Sequence, residues 1–230
     1  MLKRNKKISL IIFDLDDTLY PEMEFVKSGF KKISHTISID FAFDEKDIFE
    51  LLLKEFSKSR KYVFNRVLSL LNISDIDYLN KLISIYRSHE PEIHLYEDAK
   101  NILPRLKENY LLGLITDGIP ITQKLKIKAL GIEKYFEKII YTGEKDVNYS
   151  KPSIAPFKDM LVELNIQPDR ALYIGDNKEK DFKGPKDIGI KTIMILRNGI
   201  YKDKIAPGLD FEPDFIIGSL YEISGIIGKL

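Results

Sequence analysis

Three aspartates follow one another closely in the segment IFDLDDTLY, which spans residues 12–20. Asp14 ends an apolar run, Asp16 lies two residues later, and Asp17 is followed directly by Thr18. Carboxylates that are crowded together repel and raise one another's pKa unless a positive charge lies among them. The segment therefore predicts a site in which a cation lies among clustered acidic groups.

Similar polar residues end other apolar runs further along the chain. The segment TDG (116–118) follows one run, and the segment GDN (175–177) follows another, with Asp181 close behind. Lys151 precedes a helix-like stretch between those two runs. Ligands bind outside the carboxyl ends of the strands in an open parallel sheet, so we expect these parts of the chain to meet at one edge.

Six apolar runs of strand length would position these residues: ISLIIF (8–13), YLLGLIT (110–116), EKIIYTG (137–143), RALYIGD (170–176), KTIMIL (191–196) and DFIIGS (214–219). Continuous apolar runs are typical of strands buried on both faces, and helix-length stretches between them indicate βαβ units. We therefore predict an α/β fold with a doubly wound, mainly parallel, Rossmann-like sheet.

The helices of this core are predicted from the stretches between the runs, at about 97–108, 120–130, 153–165, 179–188 and 219–228. We expect Pro152 near the first turn of the third helix, because proline is favoured where a helix begins. Gly131 is expected to end the second helix, because glycine readily adopts the left-handed conformation of a helix C-terminus.

Residues 21–93 differ from the rest of the chain because they contain no convincing strand pattern. Four stretches carry apolar residues at three-to-four spacing: EFVKSGFKKISHTI, EKDIFELLLKEFSKS, KYVFNRVLSLL and DIDYLNKLISIYRSH. This is the pattern of amphipathic helices. We predict a helical cap bundle at 21–93, inserted into an α/β core at 1–20 and 94–230. Most of the bundle's aromatic residues are expected in its own core: Phe25, Phe30, Phe41, Phe43, Phe56, Tyr62 and Phe64.

The composition excludes several kinds of site. The chain has 230 residues, a length typical of one to two domains. Lys and Arg number 36 against 35 Asp and Glu, which provides no net field for nucleic acid or an anionic membrane. No apolar run approaches the ~18 residues of a membrane-spanning helix. The absence of cysteine excludes thiolate sites, and His35, His89 and His94 have no metal-binding spacing. We expect a cytoplasmic protein without nucleic-acid or membrane partners.

Four segments resemble, in order, the four motifs of the haloacid dehalogenase-like hydrolase superfamily. They are FDLDDTLY (13–20), LITDG (114–118), SKPSIAPF (150–157) and YIGDNKEKDFKGPKDIG (173–189). A lone DxD would be weak, but the order and intervals of all four are specific. The insert after the first motif resembles the subgroup with a helical cap. The resemblance implies a phosphatase whose cap closes over the site and reads the leaving group.

Asp14 is the candidate nucleophile, because a carboxylate can attack phosphorus and split hydrolysis into two easier displacements through an acyl phosphate. The resemblance implies that Asp16 is the general acid and then the general base, a role that needs a raised pKa. Mg²⁺ prefers hard oxygen ligands. The resemblance assigns it the Asp14 and Asp176 side chains and the Asp16 main-chain carbonyl, with Asp181 orienting metal-bound water or Lys151 from farther out.

Binding of the phosphoryl group is expected from the second and third motifs. Thr116 offers a hydroxyl, the backbone N–H groups of Asp117 and Gly118 can hold an oxygen, and Lys151 supplies a fixed positive charge. The family often has Asn in the place of Asp117, so its extra carboxylate must turn away from the anion. Asp17 is expected to be a turn residue that bonds to nearby backbone.

Other functions fit parts of this pattern. A 2-haloacid dehalogenase on the same fold also uses an Asp nucleophile but does not require Asp16. A phosphomutase would pass the phosphoryl group to a second hydroxyl instead of water. A receiver module, a non-catalytic phospho-acceptor, is about half this length and lacks the insert. A non-catalytic binding module on this fold would be expected to have lost Asp14 or Asp16, and both are present. An EF-hand loop is excluded because Leu19 and Phe25 stand where Gly and Glu are needed, and no P-loop or GxGxxG is present.

The sequence as a whole predicts a Mg²⁺-dependent phosphomonoester hydrolase that works through an aspartyl-phosphate. Its substrate is expected to be a small phosphorylated metabolite. Residues of the cap would select that metabolite, and their spacing does not single out which ones.

Overall fold

The computed structural model describes residues 8–230. Its sheet has six strands: β1 Leu10–Phe13, β2 Leu111–Thr116, β3 Lys138–Tyr141, β4 Ala171–Gly175, β5 Lys191–Ile195 and β6 Phe215–Ile217. They lie in the order β3-β2-β1-β4-β5-β6, and every neighbouring pair is parallel. Each strand lies within one of the six predicted runs, and the predicted α/β fold is confirmed.

Strand β1 lies in the middle of this sheet, with β2 on one side and β4 on the other. Leu10 is in register with Leu111 of β2 and with Ala171 of β4. All four residues of β1 are buried, which explains why the run is apolar at every position rather than alternating. From β1 the strand order runs to β2 and β3 on one side and to β4, β5 and β6 on the other. The loop after Phe13 therefore lies at the switch point where such sheets bind ligands.

Four helices follow β1: α1 Glu22–Phe41, α2 Glu45–Lys58, α3 Val63–Leu70 and α4 Ile76–Ser88. Asp44 and Asp75 cap α2 and α4, because each carboxylate accepts two backbone N–H groups of the first turn. Residues Met23–Ile93 form one compact unit, and the chain up to Glu22 together with His94–Leu230 forms a second. Among residues 8–230, no helix is both long and apolar enough to cross a membrane.

The unit Met23–Ile93 has a hydrophobic core of its own. Phe30 lies in this core with residues from all four helices, and Phe56 and Phe64 pack against it. The exposed aromatic residues of the seven are Phe41, Phe43 and Tyr62. These three lie at or beyond helix ends rather than on a packed helix face. The other four, Phe25, Phe30, Phe56 and Phe64, are buried or pack against the core, as expected for most of the set.

Five further helices belong to the unit that contains the sheet: α5 Glu97–Lys107, α6 Pro120–Leu130, α7 Ala155–Leu164, α8 Lys183–Asp187 and α9 Ile223–Ile227. Short 3₁₀ turns lie at Glu133–Tyr135, Thr142–Glu144, Val147–Tyr149, Pro168–Arg170, Leu209–Phe211 and Leu220–Glu222.

Two helix ends test the predicted start and stop signals. Gly131 has a φ of 64° directly after α6, so the predicted glycine C-cap is confirmed. The predicted start of the third helix at 153 is wrong, because α7 begins at Ala155 and holds Pro156 in its first turn. Pro152 belongs instead to a turn in which the Ser153 N–H donates to the Ser150 carbonyl.

Candidate active site

The loop after β1 begins with Asp14, whose backbone N–H donates to the Ile174 carbonyl of β4 at 2.9 Å. Asp14 is buried. Asp17 has a φ of 53°, and its carboxylate accepts the N–H groups of Glu22 at 2.8 Å and Ile200 at 2.7 Å. Asp17 is thus a turn residue bonded to backbone, and the turn separates its side chain from that of Asp14.

Lys151 is the centre of a buried polar cluster. Its ammonium donates to Asp14 Oδ1 at 2.6 Å, to Asp181 Oδ1 at 2.7 Å and to the Tyr173 hydroxyl at 2.9 Å. The Lys151 side chain is 0% exposed. Asp181 also accepts the Tyr173 hydroxyl at 2.9 Å and the Asn177 N–H at 2.9 Å. Residues from the first, third and fourth motifs therefore meet at one ammonium group.

The pKa values in this cluster follow from burial and from Lys151. Burial raises the pKa of Asp14 to about 7, which Asp181 reinforces and Lys151 opposes. Burial alone would also raise the pKa of Asp181, but Lys151 and Lys180 hold it below its usual value. The pKa of Lys151 stands well above its usual value, because the attraction of Asp14 and Asp181 outweighs burial.

A third carboxylate completes the acidic group. Ligand oxygens of Asp14, Asp176 and Asp181 lie within 4.8 Å of one another, and all three residues are buried. Burial and then the charges of Asp181 and Asp14 raise the pKa of Asp176 well above its usual value. Lys151 contacts two of these three carboxylates, and the charge of Lys180 lowers the pKa of each of the three. The donors are the hard oxygens that Mg²⁺ prefers. The donor set therefore fits a divalent cation.

Gly175 leaves room for this arrangement. A Cβ atom at Gly175 would lie 2.6 Å from Asp181 Oδ2 and 2.7 Å from its Cγ, well inside van der Waals contact. Asp181 cannot easily withdraw, because Lys151, Tyr173 and Asn177 hold its two oxygens. The glycine before Asp176 is required by space rather than by backbone conformation.

Asp16 turns its carboxylate to a separate set of partners. Lys126 donates to Asp16 Oδ1 at 2.6 Å, Gln123 donates to Oδ2 at 2.9 Å, and the Tyr20 hydroxyl donates to Oδ1. Burial alone would raise the pKa of Asp16, but Lys126, Tyr20 and Gln123 bring it below its usual value. The expectation that crowding raises this pKa is therefore wrong, because a lysine supplies the compensating charge.

Thr116 and Asp117 lie at the end of β2. The Gln123 amide donates to the buried Thr116 hydroxyl at 2.5 Å. The Asp117 carboxylate accepts the Thr142 hydroxyl at 2.8 Å and pairs with the Lys180 ammonium at 3.1 Å. Burial would raise the pKa of Asp117, but Lys151 and Lys180 hold it below its usual value. The extra carboxylate of the second motif is thus paired with Lys180, whose charge also acts on Asp14 and Asp181.

Gly118 follows with a φ of 121°, a conformation that residues with a Cβ rarely adopt. The backbone after Thr116 therefore turns in a way that depends on glycine. This turn directly precedes α6, which begins at Pro120 and carries Gln123 and Lys126.

Sequence reasoning missed five polar residues of the site: Tyr20, Tyr173, Lys180, Gln123 and Lys126. Tyr173 carried a signal, because a tyrosine inside a buried strand needs a partner for its hydroxyl. Gln123 and Lys126 are three residues apart and both buried, so they share one face of α6. The sequence shows many lysines on this helix and does not mark which of them is buried.

The chain is similar in sequence and in structure to known hydrolases. The sequence model of the haloacid dehalogenase-like hydrolases matches residues 11–195. The chain is 30% identical to the glyceraldehyde 3-phosphate phosphatase of Pyrococcus furiosus, over 97% of this chain and 95% of that protein. It is 31% identical to the glyceraldehyde 3-phosphate phosphatase of Methanocaldococcus jannaschii, over 96% and 97%. The crystal structure of a phosphatase of this type from Thermococcus onnurineus is similar, with a TM-score of 0.64 and 26% identity over 96% of this chain and 98% of that one.

Proposed function

This chain belongs to the haloacid dehalogenase-like hydrolases and is an enzyme of their phosphatase type, and we propose that it hydrolyses a small phosphomonoester through an aspartyl-phosphate on Asp14. The observation that carries this proposal is the buried carboxylate of Asp14, held by Lys151 beside Asp176 and Asp181. A carboxylate fixed in this way can act as a nucleophile toward phosphorus.

In the first half-reaction an oxygen of Asp14 forms a bond to phosphorus while the ester bond to the leaving oxygen breaks. Lys151 holds Asp14 in place and supplies positive charge beside the phosphoryl group. Mg²⁺ held by Asp14, Asp176 and the Asp16 carbonyl would offset the charge of the phosphoryl oxygens. The Thr116 hydroxyl and the N–H groups of the turn at 117–118 bind the phosphoryl oxygens.

Asp16 handles the protons in both halves. It donates a proton to the leaving oxygen in the first half, and it accepts a proton from the attacking water in the second, which returns Asp14 to its free form. The partners of Asp16 favour its charged form, which the second half uses. A dianionic phosphate nearby raises the pKa of a carboxylate, which opposes Lys126 and favours the form that the first half needs.

The substrate class is taken from the relatives. Two phosphatases that match nearly the whole chain are named for glyceraldehyde 3-phosphate, so we propose a phosphate ester of about this size, with glyceraldehyde 3-phosphate the first compound to test. A phosphatase releases inorganic phosphate, whereas a phosphomutase returns it on the substrate and a dehalogenase releases halide from a 2-haloacid. Measurement of these three products separates the three functions.

The experiment is a phosphate-release screen over small phosphomonoesters, with Mg²⁺ and with EDTA. We expect Asp14→Asn to abolish turnover and EDTA to abolish it in the unchanged protein. Asp203→Asn is the matched control, because Asp203 is exposed on the surface and should keep full activity. Acid quenching during turnover should leave a phosphoryl group on the peptide that contains Asp14. Full activity of Asp14→Asn would refute the nucleophile and with it the proposed function.

A further inference from the structure

Helix α6 presents two buried polar side chains to the site. Gln123 is 2% exposed and Lys126 is 4% exposed, although both belong to residue types that are mostly found at the surface. Burying an amide costs free energy unless the amide is hydrogen-bonded. Burying an ammonium costs free energy unless it is also paired with an opposite charge. The arrangement of their partners indicates what these two residues do.

Lys126 has the Asp16 carboxylate as its partner at 2.6 Å, and its ammonium lies 5.9 Å from the centre of the Tyr20 ring. The Lys126 and Asp16 side chains are 5% and 21% exposed. A buried ion pair of this kind often adds no stability over an apolar pair, since desolvation offsets the attraction. The pair does fix the position of Asp16, because one salt bridge and two hydrogen bonds hold both oxygens of its carboxylate.

Gln123 joins two motifs that come from different strands. Its single amide nitrogen donates to Asp16 Oδ2 at 2.9 Å and to Thr116 Oγ1 at 2.5 Å. Asp16 follows β1 and Thr116 ends β2. The amide therefore sets the spacing between the acid–base carboxylate and the phosphate-binding hydroxyl, both of which must reach the same phosphoester.

We propose that Gln123 and Lys126 are positioning residues that hold the Asp16 carboxylate and the Thr116 hydroxyl in register for proton transfer to the leaving oxygen. This inference rests on the proposed function, because it assumes that Asp16 is the acid and base. Neither residue touches the phosphorus in this account, and both act through the groups that they hold.

The test compares kcat/KM for two probes, glyceraldehyde 3-phosphate and 4-nitrophenyl phosphate. The alkyl ester needs a proton on its leaving oxygen, whereas nitrophenolate leaves readily without one. Lys126→Met should lower kcat/KM for the alkyl ester by about tenfold or more, up to the roughly 10²–10⁴-fold attributed to acid–base catalysis, and should lower kcat/KM for the nitrophenyl ester much less. Lys126→Arg should restore most of the activity, because it keeps a donor and a charge.

Matched variants separate positioning from a loss of structure. Lys128→Met makes the same change at an exposed residue of α6 and should leave both rates unchanged. Gln123→Leu removes the bridge and should reproduce the unequal loss, with a rise in KM as well because Thr116 is freed. In an Asp16→Asn background, Lys126→Met should add no further loss for either probe. Thermal unfolding shows whether each variant is folded. If Lys126→Met does not fold, Gln123→Leu serves as the test variant.

The outcomes that overturn the inference are specific. An equal loss for both probes would show a general structural role, and no loss at all would show that the ion pair is irrelevant to the reaction. An additive loss in the Asp16→Asn background would show that Lys126 does not act through Asp16. Each of these results leaves the proposed function intact, provided that Asp14→Asn is inactive, so the two proposals fail separately.

Discussion

Replacing Lys151 with methionine removes the ammonium that contacts the buried carboxylates of Asp14 and Asp181 while keeping a side chain of similar size. In the structure this ammonium lies 2.6 Å from Asp14 and 2.7 Å from Asp181. Both oxygens would lose the ammonium that they contact. Breaking one side of a buried ion pair in this way costs about 3–5 kcal/mol.

We expect a loss near about 3 kcal/mol, the lower end of this range, because Asp14 can take up a proton close to neutral pH. Its pKa is already raised to about 7, and loss of Lys151 raises it further. For a domain of this size each kcal/mol lowers Tm by about 2–4 °C. Lys151→Met should therefore unfold about 6–12 °C below the unchanged protein near neutral pH.

The sign of the pH dependence follows from the same charges. The pKa of Asp181 in the folded protein lies below its ordinary value of 3.8. It therefore stabilises the fold above that pH, and the stabilisation is lost as the pH falls through the folded pKa. In Lys151→Met the pKa of Asp14, which already lies above its unfolded value, rises further, and the pKa of Asp181 rises as well, so this variant loses stability as the pH rises. The difference in Tm should be largest near neutral pH and should narrow toward about pH 4.

The assay is thermal unfolding in EDTA over this pH range. Lys158→Met, an exposed lysine of α7, is the matched control and should unfold with the unchanged protein. Lys151→Met with Asp181→Asn should recover part of the loss, because one of the unpaired charges is removed. A Tm for Lys151→Met equal to that of the control near neutral pH would refute this reasoning, as would a difference that persists unchanged in acid.

Three further predictions concern separate charges. Lys180→Met should raise KM by leaving the Asp117 carboxylate unpaired beside the turn proposed to bind phosphate. Adding Asp117→Asn should lower KM again. If steady-state kinetics show the same KM for the double variant as for Lys180→Met, the pairing is contradicted. Metal-stripped protein should bind Mg²⁺ at least about tenfold more tightly at about pH 8 than at about pH 6, because Asp14 with a pKa of about 7 must lose its proton. Asp176, whose pKa is also raised, adds to this dependence. Calorimetry in two buffers should detect the released protons, and an affinity independent of pH would count against Asp14 as a ligand. Asp98→Asn should lower the free energy of unfolding in urea by about 2 kcal/mol near neutral pH, because Asp98 accepts two hydrogen bonds from Arg197 at 2.8 Å and 3.0 Å. Burial would raise the pKa of Asp98, but Arg197 outweighs burial and lowers it. The cost should therefore vanish as the pH falls below about 3.8, and a cost unchanged in acid would refute this prediction.

The strands and the edge that carries the site could be predicted because the signals are local. An apolar run that ends in a polar residue marks the carboxyl end of a buried strand, and parallel strands bring these ends together. Asp14, Thr116 and Asp176 were found in this way. The helix boundaries were less accurate where a turn holds a functional residue: a helix was predicted over about 179–188, but α8 begins only at Lys183, after the turn that places Asp181.

The charge balance within the site could not be read from the sequence. Asp16 is paired with Lys126, which is 110 positions away, and Asp117 with Lys180, which is 63 positions away. Nothing in the order of residues distinguishes these two lysines from the many on the surface, because the difference depends on how α6 packs in the fold for Lys126 and on the turn before α8 for Lys180. The wrong expectation for the pKa of Asp16 came from counting neighbouring acids without their distant partners.

Gly175 has a consequence for how variation in this chain is interpreted. A methyl group at this position would drive Asp181 away from Lys151, although glycine itself exchanges no proton and binds no ligand. Gly175→Ala should therefore behave in a mutational scan like the loss of a charged residue of the active site. How well this enzyme tolerates substitutions depends on the space left for its carboxylates as well as on the carboxylates themselves.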